Sequence, residues 1–125
     1  MKPAASSSLL DPLFRAGSMQ EVFSARSCAQ SMLDFEAALA RAQAKTGVIP
    51  ASAASRIAAK CRAELFALDA LARDARKAGN LAIPLVKQLT ALVARDGAAG
   101  ANRAANSATR HVHWGATSQD AIDTG

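Results

Sequence analysis

The chain has 125 residues, 32 of them alanine and only five aromatic, with a formal charge of +5. That length supports one small domain. Its small side chains favour closely packed helices over a sheet and leave few large anchors for an independent core. Basic residues are scattered and interrupted by acids, and Tyr is absent, which excludes the charged, stacking groove of a nucleic-acid binder.

No run of about eighteen apolar residues exists, so a membrane-spanning helix is excluded as well. The opening residues MKPAASSSLLDPLFRAGS contain one lysine but no continuous apolar core of signal-peptide length. Cys28 and Cys61 lie far apart, without the C-x-x-C spacing of a metal or redox site. Each falls in an apolar helical pattern, where a free thiol acts as a small hydrophobe. The expectation is a soluble chain in a reducing cytoplasm.

Taken in chain order, the first eight residues are small and polar and are expected to be loose. Ser18 and Glu21 have the S-x-x-E spacing of a capping box, which predicts a short helix after them. In SARSCAQSMLDFEAALARAQAKTGVIP, the apolar positions Cys28, Met32, Phe35, Leu39 and Ala42 recur at spacings of four and three. That is one stripe along a helix. Lys45 favours its last turn, Gly47 supplies the stop, and Pro50 follows.

A second helical pattern runs from Ala51 through Ile57 to about Leu65. Asp69 is placed to cap a third segment, which ends near Gly79-Asn80, a pair that tolerates left-handed turns. Pro84 suits the first turn of another helix, with Leu85, Leu89, Leu92 and Val93 on one side. Residues 96–107 (DGAAGANRAANS) show no periodicity and read as a loop. No strand-like alternation occurs anywhere, so the predicted fold is all-α, with a helical domain over 1–110 and a distinct polar segment over 111–125.

That last segment, HVHWGATSQDAIDTG, concentrates the chemistry of the chain. Thr117 or Ser118 can cap a helix that has Asp120 and Asp123 near its start, and Gly115 before it permits close backbone approach. Hydroxyls, the Gln119 amide and free backbone N–H groups there would hold a carboxylate without a full positive charge. The alternative is an ordinary capped helix after a glycine turn. His111 and His113 would face one side of an extended segment, but the sequence offers no full ligand set, so no metal is expected. A histidine that hydrogen-bonds a substrate or exchanges a proton with it is favoured over a ligand. A serine-hydrolase elbow is disfavoured, because G-A-T-S-Q-D is not G-x-S-x-G and no strand precedes it.

HVHWGATSQDAIDTG resembles the first signature region of the fumarase/aspartase superfamily. The segments MLDFEAALARAQAKTGVIP and GNLAIPLVKQL are most similar to its branch of cycloisomerases acting on carboxylated muconates. The likeness spans about Phe14 to Gly125. It implies an all-α homotetramer with a central helix bundle and composite active sites, acting on a small tricarboxylate without a cofactor. By resemblance, Thr117, Ser118 and Gln119 would hold a substrate carboxylate, and His113 would be catalytic beside it. Asn80 would approach the substrate from the Gly79-Asn80 turn. Gly115 and Asp120 would shape the motif, with His111 and Asp123 structural. The superfamily's serine-bearing loop has no counterpart here, so the resemblance implies an N-terminal part of the enzyme, inactive alone. Adenylosuccinate lyase, argininosuccinate lyase or a non-catalytic helical assembly module are the competing readings.

Overall fold

The computed structural model describes residues 24–98 and 107–125, and these are helical, with no strand among them. Helix α1 spans Ala25–Lys45, α2 Ala51–Lys60, α3 Leu68–Ala78, α4 Ala82–Ala98 and α5 Ser118–Thr124, with a short 3-10 turn at Ala63–Leu65. Ser18 and Glu21, with the helix expected after them, lie outside the described residues.

Helix α1 starts where the Ser24 hydroxyl accepts from the Ser27 N–H. It ends ahead of Gly47, whose φ of 75° reverses the chain into Pro50 and α2. Its buried face is Ala29, Met32, Leu33, Glu36, Ala37 and Ala40. The stripe expected from spacing is therefore turned: Met32 is shared, Cys28, Phe35 and Leu39 sit at the flank, and Ala42 is exposed. The physical reason is size. Alanines at 29, 37 and 40 let Ala53, Ala54 and Ile57 of α2 approach closely, as small side chains allow, and the bulky Phe35 and Leu39 are displaced to the edge.

The Gln30 side chain fixes the direction of this hairpin. Its amide donates to the Cys61 carbonyl at 3.1 Å and its oxygen accepts from Ala63 N–H at 2.8 Å. The far end of α2 thus lies beside the start of α1, and the pair is antiparallel. The same contact explains why α2 stops at Lys60 rather than near Leu65: backbone groups that would continue the helix are bonded to another element instead.

Helices α3 and α4 form the second hairpin. Gly79 closes α3 at φ 81°, and the Asn80 carboxamide oxygen then accepts from Ile83 N–H at 3.0 Å, capping α4. Asp69 does not cap α3. The cap position is Ala67, whose N–H is taken by the Gln88 side chain, and Asp69 sits in the first turn. On α4, Ala82, Leu85, Leu89 and Val93 are fully buried. Their spacing faces one side of the helix toward α2 and α5. Asp96 belongs to α4 and pairs with Lys60 at 2.9 Å, so the helix runs into the stretch expected to be loop. Residues 99–106 of that stretch lie outside the described residues, and residues 107–109 are helical. No helix among the described residues is long and apolar enough to cross a membrane.

Leu89→Ala is expected to cost about 2–5 kcal/mol, because a fully buried leucine leaves a cavity behind; urea denaturation of the chain measures it. Cys61 is buried and donates its thiol to the Ile57 carbonyl. Burial, assisted by the charge of Glu36, pushes that thiol up to about 12. Alkylation at pH 8, mapped by peptide mass, is expected to leave Cys61 unmodified until the fold is disrupted.

Candidate functional site

The polar terminal segment enters from the helical residues 107–109, turns through 110–115 and delivers α5 onto α1 and α4. His113 adopts φ 57° and Gly115 φ 71°. A left-handed histidine is uncommon and strained, and such conformations persist only where surrounding contacts impose them. Two contacts do so here, both from α1. Glu36 meets His113 Nδ1 through Oε1 at 2.5 Å, and the Gln43 amide donates to the Trp114 carbonyl at 2.6 Å. Residues 36 and 43 are two helical turns apart, so they project from the same face of α1.

This geometry corrects the extended reading of His111-x-His113. The two rings do not face one side. His111 packs edge-on against Trp114, with centroids 5.4 Å apart and planes at 64°, whereas His113 turns inward to Glu36. Among the described residues, no group of three or more His, Cys, Asp or Glu side chains is gathered as metal ligands.

Glu36 is the buried charged residue of the core, only 1% exposed. Its Oε2 is buried without a hydrogen-bond partner. Burial raises its pKa above the ordinary carboxylate value, and the hydrogen bond and charge of His113 act in the opposite sense. Sequence reasoning passed over both Glu36 and Gln43. A glutamate at the centre of an alanine and leucine stripe was the available signal, because a buried carboxylate needs a partner.

Helix α5 begins with a complete capping box. The Thr117 hydroxyl accepts from Asp120 N–H at 3.3 Å, and the Asp120 carboxylate accepts from Thr117 N–H at 2.8 Å and from its hydroxyl at 3.0 Å. The Thr117 hydroxyl is thus committed to the cap. Gln119 donates to Asp123 at 2.6 Å, which leaves its amide one further N–H. Thr117 and Gln119 are exposed and Ser118 is half-exposed, so this edge is open to solute. Asn80 is elsewhere. It lines a cavity of about 500 Å³ with Cys28, Met32, Ile122 and Gly125, at the far end of α5, about 10 Å of helical rise from the cap. Within this chain the two sets of donors do not converge.

No family model matches the chain. It is 54% identical over 118 residues to a 3-carboxy-cis,cis-muconate cycloisomerase of Bradyrhizobium diazoefficiens, covering 94% of this chain and 24% of that protein. It superposes on a crystal structure of the 3-carboxy-cis,cis-muconate lactonizing enzyme from Pseudomonas putida with TM-score 0.79 and 50% identity, over 93% of this chain and 25% of that one. A fumarate lyase from Mesorhizobium sp. BNC1 matches with TM-score 0.69 and 39% identity, over 88% and 23%. A relative named adenylosuccinate lyase, from Methanothermobacter thermautotrophicus, is 37% identical. The chain spans about a quarter of the length of the relatives it matches, in their N-terminal region. The fold is all-α and is that of the corresponding part of fumarate-lyase enzymes.

The Asp120 carboxyl is expected to titrate below the ordinary aspartate value, since Thr117 N–H, first, and its hydroxyl bond the charged form. A depressed folded pKa stabilises the fold above the unfolded value, and that contribution is lost as pH falls through the folded one. Thr117→Ala should move the Asp120 midpoint part of the way back up, read by carboxyl NMR; an unchanged midpoint would exclude the hydroxyl's share.

Proposed function

We propose that these 125 residues are the N-terminal part of an enzyme that closes 3-carboxy-cis,cis-muconate to 4-carboxymuconolactone, in the protocatechuate branch of the β-ketoadipate route. The observation that carries this reading is the solvent-open row of neutral donors on α5, set beside a buried-side histidine in a segment like that of cycloisomerases. On this reading one substrate carboxylate adds through oxygen to a double bond. The π electrons move into a neighbouring carboxylate as an aci-carboxylate, and a proton then completes the new C–H bond.

Charge accumulates on the carboxylate that becomes the aci-carboxylate. Donors fixed before reaction stabilise it without reorganising. Ser118 and the free N–H of Gln119 supply those donors, and Thr117, whose N–H and hydroxyl are bonded to Asp120, holds them in place as the cap. His113 is the catalytic neighbour, donating to the substrate or exchanging a proton with it. Gly115 and Asp120 hold the segment in shape, and Asn80 serves a site completed by other parts of the assembly. The whole enzyme is a cytoplasmic homotetramer that needs no cofactor and takes a small tricarboxylate, with neither nucleic acid nor membrane as a partner. Residues beyond this chain supply the remaining chemistry. The 1–110 helical domain is scaffold, and 111–125 begins the site.

The test is turnover by the reading frame extended past Gly125, on 3-carboxymuconate and on adenylosuccinate. Lactone formation from the first and no reaction with the second is the expected result, with no turnover by the 125 residues alone. Turnover of adenylosuccinate only would overturn the reading. In the active enzyme, Ser118→Ala is expected to lower kcat by about 10²-fold, the scale of one lost oxyanion donor.

A further inference from the structure

Packing of the α1 face gives no reason for a carboxylate at position 36. The neighbours on that face of α1 are alanine, methionine and leucine, and an apolar residue of similar volume is often neutral or stabilising in place of a buried charge. Glu36 is 1% exposed, one of its oxygens is unpartnered, and the other is 2.5 Å from His113 Nδ1. The His113 side chain keeps 15% of its surface exposed. The hydrogen bond described for this ring is the one at Nδ1.

Which atom holds the shared proton is assigned from the contact itself. At 2.5 Å the stronger, charge-assisted bond is the one in which a carboxylate oxygen accepts from Nδ1–H, so the proton is placed on Nδ1, against the burial that raises the Glu36 pKa. Free neutral imidazole has no such constraint, and its tautomer is set by whichever hydrogen bond the other nitrogen makes.

We infer that Glu36 is a positioning residue: it binds Nδ1–H of His113, fixes the ring in that tautomer and commits Nε2 as the atom that faces substrate. All exchange with substrate then passes through Nε2. The protonated ring offers Nε2–H to an anionic oxygen, with its charge balanced by Glu36. The neutral ring offers a lone pair at the same point. The catalytic consequence rests on the proposed function, but the tautomer assignment does not.

The test is long-range 1H–15N NMR of the chain labelled at its two histidines, above the pH at which the rings titrate. His113 is expected as the Nδ1–H tautomer, with Nε2 carrying the lone pair, and His111 serves as internal comparison. The Nε2–H tautomer at His113, or the mixture of free imidazole, would overturn the inference without any variant being needed. Glu36→Gln should then release the ring into that mixture while circular dichroism shows the helices intact. In the active enzyme the same variant should lower kcat about tenfold or more, within the range of lost acid–base catalysis, with KM nearly unchanged. A merely structural Glu36 would shift stability and leave the wild-type tautomer unbiased. If the enzyme fails to turn over 3-carboxymuconate while His113 remains Nδ1–H, only the functional reading falls. Turnover with an Nε2–H His113 removes only the role of Glu36.

Discussion

One face of α1 has to do two things. It must lie close enough to α2 to bury an alanine-rich core, and it must hold the polar turn that precedes α5. Alanines contribute little apolar area each, so a helix packed through Ala29, Ala37 and Ala40 gains its stability from closeness rather than from large anchors. Such a surface is nearly featureless and gives little to fix register. Three polar side chains on or beside it supply that register. Gln30 holds the end of α2, Glu36 holds His113, and Gln43 holds the Trp114 carbonyl.

Because core and site share that face, the turn at 110–115 inherits the rigidity of the hairpin beneath it. His113 at φ 57° stores strain on the order of 1–3 kcal/mol, the range for a non-glycine residue in this region. The bonds from Glu36 and Gln43 offset it. Trp114 is anchored through its backbone carbonyl, and its side chain remains 47% exposed, edge-on to His111. The turn is therefore fixed from within while it presents an aromatic surface outward, and Gly115 completes the reversal where a Cβ would meet backbone strain rather than a steric neighbour.

Some helix ends were legible in the sequence, though not the start of α3 or the stops of α2 and α4. Gly47, Gly79 and a hydroxyl cap at Thr117 or Ser118 act through local backbone chemistry, which needs no knowledge of the rest of the chain. Helix faces were less legible, because alanine satisfies both a core and a surface position. The spacing at 28, 32, 35, 39 and 42 competes with one at 29, 33, 36 and 40. Bulk pointed to the first; close approach by α2 selects the second. The early stop of α2 could not be read locally, since it depends on Gln30, some thirty residues earlier in the chain. The row Thr117 to Gln119 was visible as a motif, but its support was not. Glu36 stands among alanines and leucines, which signals a buried carboxylate but not its partner, a histidine 77 residues away.

The electrostatics of the segment follow one rule: each carboxylate near it is hydrogen-bonded by its nearest partner. Asp120 spends its charge on the N–H and hydroxyl of Thr117, and Asp123 accepts from Gln119. Glu36 is set against His113. On the proposed reading the carboxylate oxygens of the segment are thus turned to their own partners, and Ser118 and the second N–H of Gln119 are left for an approaching polyanion. A lysine or arginine would attract the substrate more strongly. It would hold the ground state and the aci-carboxylate alike, and uniform binding of that kind does not raise kcat. Neutral donors in a fixed cap, beside one ring whose charge is matched by a buried carboxylate, can favour the moment at which charge gathers on the bound oxygen.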